Sequence, residues 1–148
     1  MRVLALDLGT KRVGVAVSDA TGVLATPLTT IIRTGDRQGE HRQVARLVLD
    51  EEAVLVIVGL PLNMDGSRGP AARAAEEEAA ALAAVLPVPV QLLDERLTTV
   101  AADRVLLGQG KRAPARRRVV DRTAAAILLQ GWLDGGGPRR GGEGSVGG

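Results

Sequence analysis

Apolar positions along the chain fall first into short blocks rich in Val, Leu and Ile and later recur at helical spacing, and that change of period outlines the elements. Residues 2–8 and 13–18 are Val- and Leu-rich and are separated by Gly9, Thr10, Lys11 and Arg12, which predicts two strands joined as a hairpin. A second turn at 19–22 leads into a β-branched stretch at 24–33, a third strand whose Pro27 lacks an amide donor and so belongs near a sheet edge. These three elements make an antiparallel meander.

From about 39 to 52, Val44, Leu47 and Val48 recur among Arg, Gln and Glu, which predicts an amphipathic helix. The unbroken apolar run at 54–58 marks a strand covered on both faces, hence a parallel, central one. A second helix begins at Pro70, a residue suited to the first helical position, and runs through alanine-rich sequence to about Leu86, before a fifth strand at 88–93. Thr98 or Thr99 caps a third predicted helix ending near Leu107 and Gly108. A basic loop at 108–115 precedes a last helix expected over 117–133, with Val120, Ala124, Ile127 and Leu128 on one face. The domain is therefore expected to span 1–134. Residues 135–148, mostly glycine, bury too little apolar surface to offset their ordering entropy and read as a disordered tail.

Composition narrows the chemistry. The chain of 148 residues has no cysteine and a single histidine, His41, which removes disulfides, thiolate zinc sites and histidine clusters from consideration. A metal must then sit on oxygen ligands, which favours hard cations such as Mg2+ or Mn2+. No apolar run is long enough for a signal peptide or a membrane span, so a soluble, cytoplasmic protein is expected, without a membrane partner. The formal net charge is only +2, but Arg104, Lys111, Arg112, Arg116, Arg117, Arg118 and Arg122 cluster around the single acid Asp121. A one-sided basic segment fits a polyanion. With Trp132 as the only aromatic, the chain lacks a stacking platform for successive bases, so a nucleic acid would be read through backbone and shape. His41 is expected on the solvent side of its helix, and Trp132 is expected to pack the last helix onto the body.

Three acidic segments carry candidate chemistry. Asp7 interrupts an apolar strand; it is either bonded to the turn amides around Gly9 and Thr10 or a ligand beside Lys11 and Arg12, whose cations can hold a phosphate. Asp94 and Glu95 end the fifth strand, where α/β sheets bind ligands, yet with Arg96 they also fit an ordinary surface ion pair and helix cap, the reading this segment favours when taken alone. Asp121 enters the last helix behind Arg116, Arg117 and Arg118, either as a favourable charge at the helix's positive end or as a third ligand. If Asp7, Glu95 and Asp121 converge, they can hold two cations about 3.5–4 Å apart, the arrangement that neutralises attacking and leaving oxygens in phosphodiester hydrolysis.

Four blocks resemble the YqgF/RuvX family of the ribonuclease H-like superfamily: LALDLGTKRVGVAVSD at 4–19, VGLPLNMDGSRGP at 58–70, DERLTT at 94–99 and RRRVVDRTAAAILLQ at 116–130. The resemblance implies an α/β, ribonuclease H-like fold with a five-stranded mixed sheet, strand one central and strand two antiparallel, flanked by helices. It also implies catalytic roles for Asp7, Glu95 and Asp121, and a nuclease acting on the pre-16S rRNA end in ribosome biogenesis or, alternatively, on a Holliday junction in DNA recombination and repair. In the block 58–70 no acid stands at the strand end, so Glu95 takes that part, while Asn63, Asp65, Gly66 and Ser67 form a tight loop or approach the substrate backbone. Lys11, Arg12, Arg96, Lys111, Arg112 and Arg116 to Arg118 are the expected contacts to structured RNA or branched DNA. A homodimer would suit paired cuts on a symmetric junction. Two further readings are an ATP-binding module, from the likeness of Asp7-Leu8-Gly9-Thr10 to an actin-like phosphate loop, and a non-catalytic nucleic-acid binder using the basic segment alone.

Overall fold

A computed structural model describes residues 1–99, 123–135 and 145–146. Its elements are β1 (Arg2–Leu8), β2 (Arg12–Ser18), β3 (Ala25–Ile32), α1 (Arg37–Asp50), β4 (Ala53–Leu60), α2 (Pro70–Val85), β5 (Val90–Asp94), a 3-10 turn (Glu95–Leu97), α3 (Ala124–Asp134) and β6 (Ser145–Val146). The strands lie in the order β3-β2-β1-β4-β5-β6. β1, β4 and β5 are parallel neighbours, while β2 runs antiparallel to both β1 and β3. This is the expected mixed five-stranded sheet with Pro27 on its edge strand. The two-residue β6 extends it by pairing with Val90 and Gln91, within a stretch that sequence alone marks as unstructured.

The period-two alternation of β1 sorts the core into two layers. Leu4 and Leu6 face α1 and α2, joining Val44, Val48, Val56, Val58, Ala79 and Leu82. Val3 and Ala5 face α3, joining Ile57, Leu93, Ala125, Leu128, Leu129 and Trp132. Each fully buried leucine contributes about 1.5–3 kcal/mol relative to exposure. α1 starts at Asp36, whose carboxylate accepts from the Gly39 amide at 3.1 Å. α2 follows the Pro70 signal, and its buried Ala72, Ala75 and Ala79 let the helix lie close to the sheet. No helix among the described residues is long and apolar enough to cross a membrane.

Two expectations are corrected. His41 is buried, with its Nε2 2.9 Å from Glu78 Oε2. It stands three residues before Val44 and seven before Val48, on the same inward stripe of α1, and Glu78 on α2 supplies the polar contact that makes burial affordable. The last helix does not run unbroken from Arg117. Thr123 is extended, with φ −92° and ψ 163°, and its hydroxyl caps the helix that begins at Ala124 by accepting from the Ala126 amide. Residues 100–107 of the helix expected after Thr98 or Thr99, and the basic loop at 108–115, lie outside the described residues. Trp132 packs α3 against the sheet as expected.

Candidate active site

Alternation along β1 turns Asp7 to the same side as Val3 and Ala5, toward α3. Its partner across the antiparallel ladder is Gly14, and a Cβ built on Gly14 would lie 3.8 Å from Asp7 Cβ and 3.7 Å from Ala125 Cβ. Asp7 thus sits at the carboxyl end of the central strand, half-buried beside the start of α3. Lys11 and Arg12 are exposed on the turn that follows.

Glu95 reaches this side by a local device. Asp94 ends β5 and caps the 3-10 turn, its carboxylate accepting from the Arg96 amide at 2.9 Å. The Glu95 carbonyl accepts from Thr98 through its hydroxyl at 3.0 Å and its amide at 3.2 Å, which fixes the turn from the other end. Glu95 is 4% exposed, and its side chain lies in the space that a side chain at position 59 would need. A Cβ on Gly59 would stand 2.8 Å from Glu95 Oε2 and 2.7 Å from Leu128 Cδ1. A second glycine works the same way on α3, where a Cβ on Gly131 would come within 2.6 Å of Thr98 Cγ2. Glycine in a helix interior costs about 0.5–1 kcal/mol relative to alanine, and here it permits the 95–98 turn to seat against the helix.

Gly59 also relates the two acids. The β1–β4 register pairs Leu6 with Val58, so the next step along both strands brings Asp7 alongside Gly59. The β4–β5 register pairs Gly59 with Leu93, two residues before Glu95. The registers therefore set Asp7 and Glu95 on either side of Gly59 at the carboxyl ends of three parallel neighbours, and Glu95 and Leu128 fill the space over that glycine. Among the described residues no group of three potential metal-ligating side chains is gathered; the third candidate, Asp121, lies outside them. The same holds for Lys111, Arg112, Arg116, Arg117 and Arg118.

Arg96, expected as a phosphate contact, is engaged within the protein. Its Nε and Nη2 donate to both Asp94 oxygens at 2.8–3.1 Å, and its Nη1 donates to the Met64 carbonyl at 3.2 Å. Hydrogen bonding from Arg96 holds the Asp94 carboxyl below the usual range. The ion pair and cap foreseen for this segment thus belong to Asp94 and Arg96, which leaves Glu95 to face α3. The loop at 61–69 is closed by its own hydrogen bonds, with Asp65 accepting from both the amide and the hydroxyl of Ser67, and Arg96 ties it to the end of β5. Gly59 and Gly131 were not singled out by sequence. Their available signals are a glycine closing the apolar run at 54–58 and a glycine inside a strongly apolar helix.

With this geometry established, the profile of the RuvX family, described as Holliday junction resolvase, matches residues 1–135. The chain belongs to the RuvX family. A relative from Myxococcus xanthus is 49% identical over 134 residues, covering 90% of this chain and 88% of its own, and one from Mycobacterium ulcerans is 52% identical over 135 residues, covering 90% and 78%. A third, from Halalkalibacterium halodurans, is 44% identical and covers 90% and 96%. All three are provisionally named pre-16S rRNA nucleases. Among solved structures, T. thermophilus RuvC in complex with a Holliday junction substrate aligns with a TM-score of 0.61 at 19% identity, covering 99% of both chains. That likeness places the RuvX-family chain in the ribonuclease H-like fold.

Proposed function

We propose that this RuvX-family chain is a divalent-cation-dependent nuclease that hydrolyses nucleic-acid phosphodiesters, and that its substrate is the pre-16S rRNA end. The observation that carries the reading is the acid pair on either side of Gly59: carboxylates from β1 and from beyond β5 at one sheet edge, one of them seated in the space that the glycine leaves. The donor set fits a hard cation. It offers carboxylate oxygens, and the chain's one imidazole is bonded to Glu78 on the opposite layer. Asp7 and Glu95, completed by Asp121, would hold Mg2+ or Mn2+, which supplies charge neutralisation at the attacking and leaving oxygens of the phosphodiester. Lys11 and Arg12, exposed just beyond Asp7, would orient the phosphate backbone, aided by the basic residues at 111–118. Arg96 braces the 61–69 loop through Met64 while paired to Asp94, and would remain an exposed cation beside the phosphate backbone.

The names of the relatives favour the RNA substrate, and the family's description favours a four-way DNA junction as the second reading. Paired junction cuts would need two sites related by a two-fold axis, whereas RNA trimming works with one copy. Cleavage of matched RNA-precursor and junction substrates in Mn2+, with Asp7→Asn, Glu95→Gln and Asp121→Asn alongside, tests both. The expected result is cleavage of the RNA by the parent and losses of about 10²–10³-fold or more in each variant. An Asp7→Asn protein that cleaves as fast as the parent overturns the proposal, and binding that ignores all three acids would leave a non-catalytic binder.

A further inference from the structure

On the layer opposite the acid pair, a buried charge network reaches the turn that follows Asp7. Arg33, just beyond β3, donates from Nε to the Gly9 carbonyl at 2.8 Å, and its backbone amide donates to the Lys11 carbonyl at 3.0 Å. The other end of its guanidinium is gripped by both helices. Nη1 donates to Glu40 Oε1 at 3.0 Å and Glu78 Oε2 at 2.9 Å, and Nη2 donates to Glu78 Oε1 at 2.9 Å. Glu40 also accepts from the Thr34 amide at 2.8 Å, and Glu78 contacts His41 at 2.9 Å. Glu40 and Glu78 are buried, and the Arg33 side chain is 16% exposed.

Burying such a set of charges is costly, and a buried ion pair alone is weak grounds for stability, because apolar side chains of similar volume often do as well. An apolar replacement would lack one thing the guanidinium provides: a fixed fork that holds two helices at one end and a backbone carbonyl at the other. That carbonyl belongs to the turn bearing Lys11 and Arg12, two residues after Asp7. We infer that Arg33 is a positioning residue of the active site, transmitting the packing of α1 against α2 to the β1–β2 turn and so fixing Asp7, Lys11 and Arg12 relative to Glu95. The inference rests on the nuclease reading above for its catalytic consequence, but the mechanical link stands on the hydrogen bonds alone.

The test compares the full chain with Arg33→Lys, Arg33→Ala and, as a control, Leu82→Ala, which opens the same layer without touching the turn. Lysine keeps the charge against Glu40 and Glu78 but cannot reproduce the fork, so Arg33→Lys should fold while its amides at residues 9–12 exchange hydrogen faster than in the parent. In Mn2+ its kcat at saturating substrate should fall about 10-fold to 10²-fold, the scale of a misplacement of about 1 Å, and the cation concentration for half-maximal rate should rise. Leu82→Ala should melt earlier yet keep the parent's exchange at 9–12 and its kcat when folded. The inference is overturned if Arg33→Lys keeps parental exchange at 9–12, if it keeps parental kcat, or if it fails to fold, since the last would make Arg33 a general stabiliser. Should the parent itself not cleave, the nuclease reading fails, while exchange at 9–12 still decides whether Arg33 holds the turn. Arg33→Ala, if folded, should exceed Arg33→Lys in both effects, and a smaller effect counts against the inference.

Discussion

Gly59→Ala adds one methyl group to the space that Glu95 and Leu128 fill over this glycine. The new Cβ would meet Leu128 Cδ1 at 2.7 Å and Glu95 Oε2 at 2.8 Å, whereas ordinary contact begins at 3.4 Å, so each neighbour must retreat by about 0.6–0.7 Å. Both atoms end flexible side chains, but Leu128 is fully buried and Glu95 is 4% exposed, so neither can swing into water. Overpacking of this kind costs about 1–3 kcal/mol. The displaced carboxylate also leaves its place relative to Asp7, and a shift approaching about 1 Å corresponds to a loss of up to about 10²-fold in kcat. Urea denaturation gives the first quantity and Mn2+-dependent cleavage the second. Gly14→Ala is the matched control: its Cβ would find Ala125 and Asp7 at 3.7 and 3.8 Å, so stability should change by less than about 1 kcal/mol and activity by only a few-fold. Parental stability and rate in Gly59→Ala, or equal losses in both glycine variants, would refute the reasoning.

Two further outcomes test other parts of the structure. Ser18 is 1% exposed and its Oγ accepts from the Val3 amide at 2.8 Å, so Ser18→Ala strands a buried donor and should lower unfolding free energy by about 1–3 kcal/mol in a urea titration. Acid should weaken the fold through Glu78. Burial by itself would raise the pKa of this carboxyl, but hydrogen bonds and charge from Arg33 and His41 outweigh burial and hold it below its ordinary value. The unfolded chain therefore takes up this proton at a higher pH than the folded one. The stabilisation is complete above the ordinary glutamate range near about 4.3 and is lost as pH falls through the folded value. Melting temperatures from pH 7 down to 3 should show this decline, and Glu78→Gln should start lower and decline less; parallel curves would count against it.

Much of the fold was legible because strand signals in this chain are strong and local. Apolar blocks marked the five long strands, the first two followed by glycine-containing turns, and Pro27 marked the edge, since a missing amide donor is a property of one residue. Errors arose where local and long-range signals competed. Arginine is a good helix former, so the run from Arg117 resembled the start of the last helix, yet Thr123, a stronger terminal signal ahead of the apolar Ala124 to Leu129, sets the observed cap. Polarity alone places His41 on the solvent side, although its spacing from Val44 and Val48 puts it on the buried stripe. What balances it is Glu78, thirty-seven positions away, and no local window contains that partner. Asp7 was recognisable as an acid inside an apolar strand, and Glu95 as an acid at a strand end. The glycines that let Glu95 approach were not, because their value lies in what the neighbouring chain fills.

The distribution of the recognisable sequence follows from the sheet itself. The blocks at 4–19, 58–70 and 94–99 each straddle the carboxyl end of a strand: β1, β4 and β5. Those strands are parallel neighbours, so their carboxyl ends share one edge and the segments leaving them are brought together although dozens of residues separate them in sequence. The rest of each strand needs only apolar side chains of suitable volume and tolerates exchange among them. At the shared edge the demands are specific: a carboxylate at Asp7, no side chain at Gly59 where Glu95 and Leu128 take the space, and a cap at Asp94 that turns Glu95 inward. The block at 116–130 includes the start of α3, which covers this edge with Ala125 beside Gly14 and Leu128 beside Gly59. Small side chains on the sheet and close-fitting ones on the helix are thus two sides of one requirement, to seat Glu95 over Gly59 at the strand-end edge that also carries Asp7.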